Sequence, residues 1–323
     1  MERFKVGIIG AGHIARKMAH TLRDMEGVEP YAVASRNQEN AEGFACEWGF
    51  TRAYGSYEDL ADDPEVQLIY IATPHSHHFE QARMCLEKGK PVLCEKAFTA
   101  NAEQAETLIR LSKEKQVFLT EAIWTRYMPF SETLRELVDG GTIVMMLTAN
   151  IGYPIAEKER IAKPELCGGA LLDIGVYPIN FARMLFGSEI TGITSACVKG
   201  ETGVDLQSSI TFVYRNHRMA VLQMTAFCAN DRQGVISGDK GYIIVDNINN
   251  PQLAVVYSVN HEEVARYTCP PQITGFEYQV QASIDAIREG KIETPCMPHA
   301  ETLHIMQMLD DLRSEWGVRY PMD

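Results

Sequence analysis

The chain has 323 residues, 46 % of them hydrophobic, and a formal net charge of -13 at pH 7. That length suits two domains with sizeable cores, and so acidic a chain makes a poor partner for nucleic acid or an anionic membrane, both of which need clustered Lys and Arg. A small-molecule ligand is the expectation.

The eight cysteines lie far apart, with no C-x-x-C and no tight Cys/His spacing, so neither a disulfide framework nor a zinc site is expected. The first residues, MERFKVGIIG, enter an apolar strand without the segments of a signal peptide, and no stretch has the length and apolarity of a membrane span. A cytoplasmic location is expected.

In chain order, FKVGIIG, YAVAS, QLIYIAT, PVLCE and VFLTEA read as short strands. Helical stretches such as ARKMAHTLRDM, HFEQARMCLEKG and AEQAETLIRLSKEK separate them. Parallel neighbours need crossover helices, so this alternation predicts an α/β domain, a doubly wound parallel sheet of Rossmann type, over residues 1–122. Past residue 120 the rhythm changes. A glycine-led helix, GGALLDIGVYPINFARMLF, is followed by strand-like runs between about 190 and 270 with turns such as RNH and DKG. Two helices near 276–289 and 298–316 follow. An α+β domain with a large, mostly antiparallel open sheet is expected over 123–323, with the second face of that sheet serving homodimerisation.

Gly10-Ala11-Gly12-His13-Ile14-Ala15 directly follows the first strand and opens the first helix. Glycines there allow a tight turn and bring backbone N–H groups to a pyrophosphate at the helix N-terminus, which marks Gly10, Gly12, His13 and Ile14 as cofactor-binding candidates. At the end of the second strand, a carboxylate usually grips the adenine ribose of NAD. This chain has Ser35 and Arg36, a hydroxyl and a guanidinium suited to a 2′-phosphate, so NADP(H) is expected over NAD(H).

Past the third long strand, IATPHSHHFEQA sets Thr73, Pro74, His75 and His78 where a cofactor's phosphates or ribose would lie. A metal site is not expected, because carboxylate and thiol partners at ligand spacing are missing. The run VLCEKAF ends a buried strand on Glu95 and Lys96, two charges whose desolvation needs a functional reason. Asp173 and Tyr177, four apart in the glycine-led helix, would share a face, and Lys96 would complete a triad with them. Trp124 and Arg126, at the crossing between domains, and Arg160, ahead of that helix, are the substrate candidates.

The combination of GIIGAGHIA, IATPHSHHFEQA, CEKAF, EAIWTRYMP, GGALLDIGVYPIN and the stretch from GFEYQVQ to LDDLR resembles the glucose–fructose oxidoreductase/inositol dehydrogenase/MocA family over essentially the whole chain. EAIWTRYMP and LDIGVYP resemble its dimeric dihydrodiol dehydrogenase and NADP-dependent D-xylose 1-dehydrogenase branch. The resemblance implies hydride transfer between NADP(H) and a hydroxyl or carbonyl carbon of a sugar, polyol or cyclic diol, with Lys96 at the reacting oxygen, Tyr177 as the acid/base aromatic and Asp173 positioning them; Lys96 and Tyr177 could exchange roles. It also implies a homodimer. Two departures stand out: Ala97 replaces the usual proline, and His75 stands where Asn is common. An NAD-dependent sugar or inositol dehydrogenase, or a dinucleotide sensor without turnover, would share the architecture.

Overall fold

The structure is a computed structural model and describes residues 3–140, 144–215 and 217–323. By their contacts the described residues form two compact units, those within 1–127 and 272–308, and those within 128–271 and 309–321.

The first unit runs β1 (Phe4–Ile9), α1 (His13–Asp24), β2 (Val28–Ala34), α2 (Gln38–Trp48), β3 (Arg52–Tyr54), α3 (Tyr57–Asp62), β4 (Leu68–Ile71), α4 (His75–Glu87), β5 (Val92–Glu95), α5 (Ala102–Lys115) and β6 (Leu119–Ala122). All six strands are parallel, in the order β3-β2-β1-β4-β5-β6. Helices cover such a sheet on both faces, which is why Leu68, Ile69, Tyr70 and Ile71 are all fully buried. From β1 the chain winds outward to β3, then returns to β4 on the other side of β1 and winds the opposite way. The strand order therefore reverses between β1 and β4, and the loops after these two strands open onto the crevice where such sheets bind ligands.

The second unit contains α6 (Pro129–Asp139), β7 (Val144–Gly152), α7 (Glu159–Ala162), a π-helical turn (Leu171–Gly175), α8 (Val176–Phe186), β8 (Ile190–Lys199), β9 (Asp205–Tyr214), β10 (Met219–Thr225), β11 (Gly234–Gly238), β12 (Gly241–Val245), β13 (Leu253–Ser258) and β14 (Glu263–Thr268). Its eight strands lie in the order β14-β13-β12-β11-β7-β10-β9-β8. Only the β10/β7 pairing is parallel. Alternation sorts its two faces: Ala220, Leu222, Met224, Ile210, Phe212, Leu147 and Ala149 point inward and are buried. Val213, Met219 and Met146 form a row across β9, β10 and β7 on the other face and are exposed.

The two remaining helices, α9 (Glu277–Arg288) and α10 (His299–Trp316), were expected to close the second unit. Instead α9 and the start of α10 belong to the first. The reason is the edge of the parallel sheet. Leu119 of β6 donates its N–H to Ile292 O at 2.9 Å, and its carbonyl faces His299 Nε2 at 2.8 Å, so the 292–299 segment covers an edge that would otherwise present unpaired backbone groups.

Candidate active site

Gly10 sits at φ +103°, a region that disfavours any side chain, and a Cβ there would lie 3.0 Å from Ala72 O and 3.3 Å from Thr73 Cγ2. The loops after β1 and β4 therefore abut. Gly12 caps α1 with extended backbone and open space where a Cβ would be. The first turn of α1 holds no acidic residue, and no side chain caps it, so its N–H groups are available to an anion. His13 and Ile14 begin that turn, exposed and half-buried respectively.

A cavity of about 620 Å³ opens from this turn, lined by Gly10, Gly12, Ser35, Arg36, Thr73 and Pro74 together with Arg16, Asn40 and Tyr57. Glu39 and Glu47 line it as well, Glu47 with an oxygen 3.7 Å from the Arg16 guanidinium. Arg36 is exposed, and its charge is felt by both Tyr57 and His77: it opposes the rise that burial gives the Tyr57 phenol and adds to the lowering that burial gives His77. Arg16, Asn40 and Tyr57 carry no local sequence signal. Only the fold brings α1, α2 and α3 to one cavity.

The histidines separate. His75 is buried at the start of α4, its ring 5.7 Å from that of His78 in an edge-on arrangement. His78 was expected to touch the cofactor. It is fully enclosed, with Nε2 2.8 Å from Thr73 O and Nδ1 2.9 Å from Ala97 O, so it braces the protein interior. Thr73 donates its hydroxyl to Gln81 Oε1 at 2.7 Å.

Glu95 ends β5 in a buried position and accepts a hydrogen bond from the Tyr70 hydroxyl. Burial raises its carboxyl pKa, while the Lys96 charge, the Tyr70 bond and the Lys17 charge pull it back. Lys96 is half-buried, and the bond joining it to Ala97 is cis. Lys17, which the sequence reading passed over, has its ammonium 4.1 Å from the ring centroid of Trp124 and 4.0 Å from that of Phe276. Burial pushes it down to about 8 against the opposing charges of Glu95 and Glu277. Trp124 is 4 % exposed, its ring 5.0 Å from Phe276. Arg126 is buried and bound within its own unit, to Glu301 at 2.9 Å and Cys296 O at 3.3 Å. Its guanidinium is committed to structure, against the expectation of a substrate contact.

In the second unit, the glycine-led stretch begins with a tight turn. Gly169 has φ +119°, and a Cβ there would meet Asp205 Oδ1 at 2.2 Å. The Asp205 carboxylate accepts from Leu171 N at 2.6 Å and so caps the following helix. Tyr320 donates its hydroxyl to Gly168 O at 2.6 Å. The helix expected to run straight through Asp173 and Tyr177 is π-helical over Leu171–Gly175 and α-helical from Val176. Such turns are uncommon and recur at functional sites. Asp173 is buried in the π turn, and Arg160 of α7 donates to its Oδ2 at 2.9 Å. Tyr177 follows in the first α-helical turn, 8 % exposed. Arg160, expected as a substrate contact, is the ion partner of Asp173. Among the described residues, no group of three or more His, Cys, Asp or Glu side chains could hold a metal ion.

Residues 4–123 match a family model described as an oxidoreductase family with an NAD-binding Rossmann fold, and residues 131–244 match the GFO/IDH/MocA C-terminal domain. The chain is 34 % identical to a trans-1,2-dihydrobenzene-1,2-diol dehydrogenase of Xenopus tropicalis over 98 % of its own length and 99 % of the relative's. The chain belongs to the GFO/IDH/MocA oxidoreductase family. Another relative of this family is a D-xylose 1-dehydrogenase (NADP(+)) of Hypocrea jecorina, 31 % identical over 98 % of this chain and 93 % of that one. Among solved structures, a 3-ketoreductase from Actinomadura kijaniata in complex with NADP and TDP-benzene superposes with a TM-score of 0.88 at 23 % identity, covering 97 % and 98 % of the two chains. An aldose-aldose oxidoreductase from Caulobacter crescentus also reaches 0.88, at 20 % identity and 98 % coverage of both. These two likenesses speak for the fold of this GFO/IDH/MocA member.

Proposed function

We propose that this protein is an NADP(H)-dependent dehydrogenase acting on the CH–OH group of a sugar, polyol or cyclic diol. The observation that carries the cofactor half is the cavity at the β1/β4 reversal, where the end of β2 contributes Ser35 and Arg36, with Tyr57 beside them. A guanidinium there pairs with a 2′-phosphate by charge-assisted hydrogen bonds. The relatives named for dihydrobenzenediol and D-xylose oxidation support the substrate class.

The residues fit the cofactor: Gly10 and Gly12 leave the room a pyrophosphate needs, and α1 offers uncapped amides. When bound, NADP(H) supplies or accepts the hydride. Lys96 donates a hydrogen bond to the substrate oxygen and stabilises negative charge on it, Tyr177 takes the hydroxyl proton, and Asp173, held by Arg160, positions the tyrosine. Glu95 offsets the lysine charge. Lys96→Met and Tyr177→Phe should each lower kcat by at least about 100-fold while NADP(H) binding changes little. Steady-state kinetics beside a cofactor titration checks this, and near wild-type turnover in either variant removes that residue from the mechanism.

The assembly we propose is a homodimer through the open face of the eight-stranded sheet, where Met146, Val213, Met219 and Val198 are exposed. A cytoplasmic location accords with eight cysteines that are all free thiols. No helix among the described residues is long and apolar enough to cross a membrane.

A further inference from the structure

Two loops of the first unit must hold a fixed spacing for the proposed chemistry. The loop after β4 brings Thr73 and Pro74 to the cofactor cavity, and the end of β5 delivers Lys96. The ladder between β4 and β5 stops at Ile71 and Cys94, so it does not tie the two loops to each other. One side chain lies against both. His78, on the first turns of α4 and fully buried, has Nε2 2.8 Å from Thr73 O and Nδ1 2.9 Å from Ala97 O, the residue after Lys96.

We propose that His78 is a positioning residue of the reaction centre, a single imidazole that spans the cofactor loop and the lysine loop and sets the distance between them. The inference rests on the reading of Lys96 as catalytic. An imidazole suits the task because it is rigid, and its two nitrogens address two carbonyls on opposite sides of one ring. Burial pushes the His78 pKa down to about 4, the carbonyls of Thr73, Ala97 and Phe98 oppose that, and the Lys96 charge adds to it, so the ring is neutral at physiological pH. A neutral ring bears one N–H. The brace therefore works by filling the span as well as by hydrogen bonding, and a shorter side chain that reaches one carbonyl leaves the other unsupported.

That geometry separates two conservative variants. Asn places its amide where Nδ1 lies, supporting Ala97 and releasing Thr73, whereas Gln places its amide where Nε2 lies, supporting Thr73 and releasing Ala97. Releasing one loop from the ring, whether from its N–H or from its packing contact, costs about tenfold in the step that loop serves. His78→Gln should therefore lower kcat about tenfold more than it weakens NADP(H) binding, and His78→Asn should do the reverse. Titration of the full-length protein with NADP(H) by tryptophan fluorescence, steady-state kinetics on an accepted substrate, and the thermal midpoint of each variant read this out. The opposite splits bear out the brace. If both variants lose kcat, affinity and thermal midpoint in the same proportion, or if neither constant moves, His78 is a core residue only. Lys96→Met run alongside keeps the two claims apart. Wild-type turnover in that variant sinks the catalytic reading of Lys96, and the cofactor titration of His78→Asn then judges by itself whether the ring holds the Thr73 loop.

Discussion

Glu121 sits on β6 with 2 % of its surface exposed, and its Oε2 makes no hydrogen bond. Burial pushes its pKa up to about 7, against help from the Thr302 hydrogen bond and the Arg126 charge, while the Glu95 and Glu301 carboxylates add to the rise. The sign of its effect follows from linkage. The folded state holds this proton more tightly than the unfolded chain, so the stabilisation is complete below about pH 4.5 and is lost as pH rises through about 7. Glu121→Gln removes the buried charge and should be the more stable protein at about pH 8, by up to about 3 kcal/mol, with the advantage vanishing near about pH 5. Urea unfolding across that range checks this, and parallel curves for the two proteins would count against it. At this scale the sequence was uneven. Lys96, Ser35 and Arg36 were legible because each stands at the end of a recognisable strand. Lys17 was not, since its aromatic partners Trp124 and Phe276 come from positions more than a hundred residues away.

Among elements, the glycine-rich turns divide by what a side chain would meet. At Gly169 the backbone is left-handed and a Cβ would strike Asp205, the carboxylate that caps the π turn. Gly169→Ala should cost about 2–4 kcal/mol of stability, from the positive φ together with a displaced cap. At Gly12 the space is open and φ is -87°. Gly12→Ala should cost no more than about 1 kcal/mol in the apo protein yet weaken NADP(H) binding about tenfold, because the new methyl occupies space reserved for the pyrophosphate. Denaturation midpoints and cofactor titrations of the pair test this, and a Gly12→Ala protein that binds NADP(H) like wild type would contradict it. Helix and strand alternation in the first 122 residues made the doubly wound sheet readable. The π turn was not, because an apolar run such as ALLDIGV suits an α-helix and a π turn alike. Apolar periodicity shows that α9 is half-buried without saying against which unit, and the lone parallel pair β7/β10 leaves no mark on strand periodicity.

For the whole molecule, the open face of the second sheet predicts a dimer mass by light scattering at micromolar concentration, and Met146→Glu with Met219→Glu should shift it toward monomer by placing charge on that face. A monomer mass for the wild type would remove the proposal. The family was readable from motifs spread along the chain, while the substrate was not, because the residues that discriminate a diol from an aldose follow no local pattern. The central claim is NADP(H)-dependent oxidation of such a substrate, with Arg36 setting the cofactor. Its most direct test is the initial rate of nicotinamide reduction with NADP and with NAD, for wild type and Arg36→Ala, over D-xylose and trans-1,2-dihydrobenzene-1,2-diol. The account predicts turnover with kcat/KM at least about tenfold higher for NADP, and a preference that collapses in Arg36→Ala because the NADP rate falls while the NAD rate holds. Equal rates with both cofactors in the wild type, or no turnover on any aldose, polyol or dihydrodiol, would contradict it.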